Sequence, residues 1–587
     1  MKQYPPRQIP ANNRHLMMKC MKYFLILLTP LLLAYGAHAQ SCLPNGIVFY
    51  LQSQVDNFPV DYPGCTMIAG NVAITGYQVT SLAGLRGVTS IGGDLSITWA
   101  GGLSLSGLDS LAAIGGGLYI ENSSGLNFLN GLDHLKSVGG IVYIQNNYNL
   151  LSLAGLGSLT TIGGNLEIFN NSKLASLSGL GSLKSVGGLL NIADMYAVTS
   201  LSGLDNLETV GGNLRIFDLS SLVNFTGLGS LKSVGGDLLV WTCQDLYNLA
   251  GIENLTTLGG MADIAMNWSL HNLKGLEGLT SVKKHIRLLE NNSLVNAGGF
   301  DHLASISDSL LVVDNPHLND LHGLEQLTTV GGKLVITGCD TIKTLTGLGS
   351  LRTIGGDFVI RSNRYLATLA GADLLESVGG VLRIDSNRTL SGMAGLGHVA
   401  TLTGGLRITG NSRLTTLDGL THLTYMGGNL VITGNDSLTS LMGLDSLPAD
   451  SLAGFVIEHN KQLAICNTRR LCHILDAQGN GTISDNAPGC NTRSEVVTAC
   501  HALVNNLPSE AGFRLYPNPA TDRLTIELPP GQGQVYVSIA SANGLKQMEQ
   551  AVSATSRVID ISRLSSGIYI CHLQAGKTLQ IIKLVKW

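Results

Sequence analysis

A pair of glycines returns at a fixed interval along most of this chain, and that period limits what the chain can fold into. The first glycine of each pair is Gly92, Gly115, Gly139, Gly163, Gly187, Gly211, Gly235 or Gly259, then Gly331, Gly355, Gly379 or Gly427. Only the step from Gly92 to Gly115 falls one position short of the common period. A second marker, Gly-Leu, runs in phase from Gly84 and Gly107 to Gly443. A fixed period of this size is the signature of a solenoid, whose units bury their apolar faces only against neighbouring units. About fifteen units share one register.

One unit reads L-x-G-L-x-x-L-x-x-V-G-G-x-L-x-I-x-x-N-x-x-L-x-x. Within G-G-x-L-x-I the apolar residues alternate, which is the period of a half-buried strand. Elsewhere they recur every third position and are broken by glycine, so no stretch supports a helix. Each unit is expected to make one turn of a coil from short strands and tight corners, with successive coils paired as parallel strands. Leu111, Leu135, Leu159 and Leu183 then form one interior ladder, and Ile114, Val138, Ile162 and Val186 the next. At about 25 cal/mol per Å² of buried apolar surface, these ladders are the main stabilising term. The corner glycines are read as places where a Cβ would crowd the adjacent coil or forbid the turn. Asn147, Asn171, Asn267, Asn291, Asn315, Asn363, Asn387, Asn411 and Asn435 form a column of their own. A buried amide both donates and accepts, so this column is read as a structural ladder. The glycine pair fails at Lys283-Lys284 and Ser307-Asp308, where the core residues Val282 and Ile306 are kept. Lys284 and Asp308 are expected to pair across about one strand spacing, ~4.8 Å. The expected fold class is all-β: a parallel β-solenoid of about fifteen 24-residue coils with disulfide-bearing end caps, followed by a small β-sandwich.

The two ends break the period. Lys19 and Lys22 precede the apolar run YFLILLTPLLLA, and AHA ends at Ala39. This is the pattern of an export signal over 1–39, cleaved between Ala39 and Gln40. An oxidising destination makes Cys42, Cys65, Cys466, Cys472, Cys490 and Cys500 candidate disulfide cysteines, with the pairing among the last four left open. Cys243 and Cys339 share one repeat position and read as free buried thiols. An N-terminal cap is expected over 40–84, including a short helix between Phe49 and Cys65. The solenoid follows over 85–465, then a cysteine-rich cap over 466–505 and a linker over 506–512. From 513 to 587 the sequence reads as alternating strands and hairpins.

Net charge is −4 over 587 residues, of which 13% are charged, so there is no electrostatic footprint for nucleic acid or an anionic membrane. No H-E-x-x-H, P-loop or G-x-S-x-G stands in a supporting context, and no cofactor or metal is implied. Asp109, Asp133, Asp205 and Asp301 share a column, as do His134, His302, His398 and His422. Both columns are read as solvated surface. The outward positions of the strand are more informative. Tyr119, Tyr143, Phe169, Phe217 and Trp241 are read as an aromatic stripe suited to stacking on sugar rings or to burial in a protein partner. Arg383 and Arg407 form a second candidate ligand site on the same face. Like charges one coil apart are unfavourable unless an anion or acid intervenes. Arg361 and Asp385 are expected to pair with each other.

The segments CTMIAGNVAITG (65–76) and GFVIEHNKQLAIC (454–466), with the repeated L-x-x-V-G-G-x-L-x-I-x-x-N, resemble receptor L domains over about Cys42 to Cys500. That resemblance implies a right-handed β-solenoid, related to leucine-rich repeats and used for binding ligands. The end of the chain resembles the C-terminal sorting domain of the Bacteroidetes type IX secretion system. The residues that carry this are Tyr516-Pro517-Asn518-Pro519, Gly567-Ile568-Tyr569 and the basic ending Lys583 to Lys586. It implies the type IX machinery as partner, passage across the outer membrane and attachment at the cell surface. The resulting expectation is an exported cell-surface binding or adhesion protein, not an enzyme, with a glycan or protein ligand. Its mature chain would carry no transmembrane segment. The alternatives are a carbohydrate-active β-helix enzyme and a ligand-free structural spacer.

Overall fold

The computed structural model describes residues 40–447, 453–476, 480–505, 513–527, 534–541, 545–553, 557–575 and 578–587. The export signal over 1–39 and the linker over 506–512 lie outside the described residues, and Gln40 opens the first strand. The chain divides into two compact units between Gln462 and Leu463.

Each regular coil of the first unit contributes a two-residue strand, such as Ser137–Val138, and a four-residue strand, such as Val142–Gln145. The longer strands stack in parallel at one-coil steps, Val142 opposite Leu166 and Ile144 opposite Ile168. Their ladder runs unbroken from Ile47–Phe49 to Gly454–Glu458. The result is a parallel β-solenoid of about 18 turns rather than fifteen. The additional turns carry Ile47–Phe49, Val72–Thr75 and Gly454–Glu458, which keep apolar alternation but lack the glycine pair used for counting.

The two glycine markers have different physical causes. At Gly211 an added Cβ would lie 2.9 Å from the carbonyl carbon of Gly187, the equivalent residue one coil earlier. Close approach of backbone to backbone therefore requires the corner glycine. At Gly203, in the Gly-Leu marker, φ is +111°, a region that excludes other residues. One further column has positive φ: on the early coils Asn122, Asn146, Asn170, Asp194 and Asp218 hold φ between 48° and 58°, and on later coils Gly338, Gly410 and Gly434 stand there. Asn and Asp tolerate this left-handed conformation better than most residues.

The asparagine ladder satisfies buried backbone as expected. The N–H of Asn387 donates to Oδ1 of Asn411 (3.0 Å), and Nδ2 of Asn387 donates to the carbonyl of Ile360 (2.9 Å). The same pattern recurs from Asn147 to Asn460, with buried Met195, Leu219, Cys243 and Cys339 standing in at four coils. Burial pushes the Cys243 and Cys339 thiols up to about 12, which keeps both protonated.

At the first turns, Gln40–Cys42 pairs in parallel with Cys65–Ile68, and Cys42 is disulfide-bonded to Cys65. A helix, Gln52–Asp61, buries Val55 and Phe58, with the Phe58 ring centroid 6.0 Å from that of Phe49. Gln52 ties this helix to the next coil. Its Oε1 accepts from the N–H groups of Thr80 (2.9 Å) and Ser81 (3.0 Å), and its Nε2 donates to the Ser81 carbonyl (3.0 Å).

The short strands do not form one sheet. Ten pair from Gln40–Cys42 to Thr257–Leu258, and seven from Ser281–Val282 to Tyr425–Met426. The break falls at Lys283-Lys284. The short strand at this corner still pairs with the next one, Val282 with Ile306, so the break lies only on the side of Thr257–Leu258. The longer strands still pair across this step, Ala262 with Ile286. The Lys284–Asp308 pair is not formed. The long stem of Lys284 reaches back two coils, placing Nζ 3.4 Å from Oδ1 of Asp237, while Asp308 accepts from the Ser309 hydroxyl (2.9 Å).

The second unit contains helices Arg469–Asp476 and Arg493–Asn505, with disulfides Cys466–Cys490 and Cys472–Cys500. It also contains two antiparallel sheets. Three strands (Arg514–Tyr516, Arg523–Glu527, Val558–Asp560) and four (Lys546–Val552, Val535–Ser541, Gly567–Ala575, Thr578–Lys586) share one apolar core. Leu524, Ile526 and Ile559 enter that core from one sheet, and Val537, Ile539 and Leu573 from the other. Among the described residues no helix is long and apolar enough to cross a membrane.

Candidate functional site

In each four-residue strand the first and third side chains fill the core, so the second and fourth face outward. Leu118 and Ile120 are buried, for example, while Tyr119 and Glu121 are half-buried. The aromatic residues therefore occupy two outward columns. Tyr119 and Tyr143 lie in one, and Phe169, Phe217 and Trp241 in the other. Tyr143 packs 6.2 Å from Tyr119 and 5.3 Å from Phe169, and Phe217 packs 4.6 Å from Trp241. Ala193 stands in register between Phe169 and Phe217. The expected stripe is thus two clusters separated by a small residue.

Cations frame the second cluster. The guanidinium of Arg215 sits 4.9 Å from the Phe217 ring centroid, and that of Arg287 5.8 Å from Trp241. Arg287 is held in place by two bonds to the buried Asp263, at 2.7 and 2.6 Å. Those hydrogen bonds raise the Arg287 pKa and keep it charged. Nε1 of Trp241 is buried with no hydrogen-bond partner among the described residues. In the first cluster the Tyr143 hydroxyl donates to Oε1 of Gln145 (2.7 Å). Burial, with nearby carboxylates second, raises the Tyr119 and Tyr143 phenols, so both stay neutral donors.

Reading only the strand positions overlooks a more exposed set. Tyr148, Tyr196 and Trp268 lie just past the asparagine ladder and are 47%, 57% and 53% exposed. Their separations are whole multiples of the repeat period, which is the signal that places them in one column.

On the later coils Asp385 is the acid that makes the arginine stack tolerable. It is 3% exposed, accepts from Nε of Arg383 and from the Thr409 hydroxyl, and stands 3.7 Å from Nε of Arg407. The expected Arg361–Asp385 pair is not formed. The two residues are in register, but Arg383, Arg407 and Thr409 already surround the carboxylate, and Arg361 stays exposed.

The acidic column has a structural task. Asp109, Asp133, Asp205 and Asp301 accept from the N–H groups of Gly107, Gly131, Gly203 and Gly299 at 2.7, 2.7, 2.8 and 2.9 Å. Each carboxylate therefore braces the positive-φ glycine two residues before it. In the histidine column, Nδ1 of His302 meets the Glu277 carbonyl (3.0 Å), and Nδ1 of His398 meets that of Asp373 (2.6 Å). No cluster of three His, Cys, Asp or Glu suited to a metal ion occurs among the described residues.

The last sheets carry their own motif. Asn518 pins the start of this region to its final strand: Nδ2 donates to the Lys583 carbonyl (2.7 Å), and Oδ1 accepts from the Val585 N–H (2.9 Å). The Tyr569 hydroxyl donates to the Ser565 carbonyl (2.8 Å). Residues 514–586 match the family model of the secretion system C-terminal sorting domain. This sorting domain marks the chain for the type IX machinery and for export across the outer membrane, to the cell surface or the extracellular space. No curated protein matches the chain.

Proposed function

We propose that the chain is a cell-surface binding protein in which the sorting domain provides delivery and the outward face of the solenoid holds a glycan or protein partner. The supporting observation is that aromatic residues recur on outward columns of a fold whose core is complete without them. Tyr119, Tyr143, Phe169, Phe217 and Trp241 cover the sheet face, and Tyr148, Tyr196 and Trp268 continue beyond the asparagine corner. Rings placed in this way stack on sugars or insert into a protein interface. The receptor-L-domain-like pattern supports the same reading. A catalytic role is not proposed, because the acids of the repeat column are engaged with backbone N–H groups.

The test is a screen of the purified full chain on glycan and protein arrays, repeated with a Tyr143→Ala, Trp241→Ala double variant. Binding of the array ligand is expected to fall by about tenfold or more. Unchanged binding would remove the sheet face from the proposal.

A further inference from the structure

On three adjacent coils near the later end of the solenoid, the corner chemistry changes from aromatic to cationic. Arg361 and Arg364 lie on one coil, Arg388 on the next and Arg413 on the third, all exposed. A corner cavity of about 330 Å³ is lined by Asp340, Ser362, Arg364, Ser386 and Arg388. Ser362 and Ser386 occupy the positive-φ column, which turns the chain so that serine and arginine face the same hollow.

Apart from Asp340, the surrounding acids are already engaged. Asp357 pairs with Lys333 (3.2 Å), Glu376 with Arg352, and Asp385 with Arg383. Asp373 accepts from the N–H of Gly371 (2.8 Å). Asp340, on the cavity rim, makes no ion pair among the described residues. Arg361, Arg364, Arg388 and Arg413 likewise have no acid within ion-pair distance among the described residues. Arg364 instead lies over the Tyr365 ring, 5.4 Å from its centroid. Arg364 and Arg388 share one column a coil apart, with Arg413 one position past it on the third coil, and like charges at ~4.8 Å coil spacing repel unless an anion comes between them.

We propose that this corner binds an acidic polysaccharide, one carrying sulfate or uronic-acid carboxylate groups along its length. The proposal deepens the cell-surface binding reading, on which it rests, but does not depend on the aromatic face. Guanidinium groups match sulfate and carboxylate in bidentate geometry, and the serine hydroxyls add donors. A polymer with repeated acidic groups engages several coils at once and gains avidity. The site is shallow and polar and lacks the apolar centre of a protein interface. The chain as a whole has a net charge of −4, so the attraction is local and not the broad basic field that nucleic acid requires.

The experiment measures binding of the purified full chain to immobilised dextran sulfate, polygalacturonate, neutral dextran and duplex DNA. Dextran sulfate and polygalacturonate separate sulfate from carboxylate as the recognised group. Binding to at least one of them is expected, with none to neutral dextran, and it should weaken as salt shortens the range of the attraction. An Arg364→Gln, Arg388→Gln, Arg413→Gln variant is expected to lose about tenfold or more. A Lys173→Gln, Lys232→Gln control should bind as the parent does. If the triple variant loses its circular dichroism signal, Arg388→Glu alone, at an exposed position, is read in its place. The proposal is overturned if the arginine variants match the parent, if neutral dextran binds equally, or if DNA binds more tightly than either acidic polysaccharide. Any of these results, together with an array ligand still held by the aromatic face, leaves the broader function standing.

Discussion

The coil cornered by Gly259-Gly260 and the one after it, cornered by Lys283-Lys284, present matching apolar residues to the core. Leu255 is followed by Leu279, Leu258 by Val282 and Ile264 by Leu288, all buried. The two coils differ at the corner, and there the short-strand sheet ends while the longer-strand ladder continues. The corner glycines are therefore not needed for the coil itself, and the short strands also pair between the two glycine-free corners, Val282 with Ile306. The coil is held by its apolar columns and by the amide ladder, which crosses the step from Asn267 to Asn291 and on to Asn315. Chemistry that is uniform inside and permissive at one corner lets a repeat absorb variation without losing its register.

The most damaging way to probe this contrast is to place a side chain where the stack is intact. Gly211→Val adds bulk 2.9 Å from the Gly187 carbonyl carbon, with no break to relieve it. A loss of more than about 3 kcal/mol is expected, read as a lowered urea midpoint. A change of under half that size would mean that regular coils can open as the lysine coil does. Asn291→Ala tests what holds the broken step together. It would orphan the buried N–H of Asn267 and remove the amide's bond to the Ile264 carbonyl, at a cost of about 2 kcal/mol. Because only one sheet bridges this step, amide exchange should quicken first around 262–265 and 286–289. Uniform acceleration over the whole solenoid would instead show that the step is no weaker than its neighbours.

Much of the architecture was legible because it is periodic. The period, the inward columns and the asparagine ladder follow from residues that recur in register, and the disulfide cysteines from their place at the two ends of an exported chain. The features that were not legible depend on distances between coils or on competition for one partner. The break at Lys283 is one-sided: that coil's short strand pairs with the next coil but not with the preceding one. Asp385 could have been claimed by Arg361, Arg383 or Arg407, and only side-chain geometry decides for the last two. The aromatic stripe divides because Tyr143 and Phe169 belong to different outward columns and Ala193 interrupts one of them. Tyr148, Tyr196 and Trp268 lie past the strand, where the alternation that marks outward positions has ended. The acidic column shows the reverse case: its spacing is plain in the sequence, but its task appears only beside the glycine N–H groups.

Restoring glycine at the broken corner is expected to have a smaller effect. In a Lys283→Gly, Lys284→Gly variant the short strands can stack across 258 and 282, but the glycines also cost backbone entropy. Net stability should change by less than about 1 kcal/mol. The lost Lys284–Asp237 pair is exposed at the lysine end and contributes little. The informative reading is slower amide exchange at 281–283. Unchanged exchange there would show that something other than the lysine side chains separates the two sheets.

The smallest effect belongs to the regular coils on the early side of the break. Nδ2 of Asn146 donates to Oδ1 of Asn122 (3.0 Å), and Nδ2 of Asn170 to Oδ1 of Asn146 (2.6 Å). At the next two coils the same column places Asp194 beside Asp218. Burial first, and the Asp218 charge second, raise the Asp194 pKa above its ordinary value of 3.8. A carboxyl raised in the folded state favours folding when protonated, and that advantage is lost as pH rises through the raised value. At neutral pH the ionised Asp194 is therefore slightly destabilising. Asp194→Asn removes the charge and extends the amide row, so it should stabilise the solenoid by roughly a few tenths of a kcal/mol at pH 7. The charge part of the gain should shrink as pH falls and vanish well below 3.8, where the parent carboxyl is protonated in both folded and unfolded chains. Urea midpoints of parent and variant at pH 3, 5 and 7 would read this, and a gain that grew toward acid would reverse the assignment.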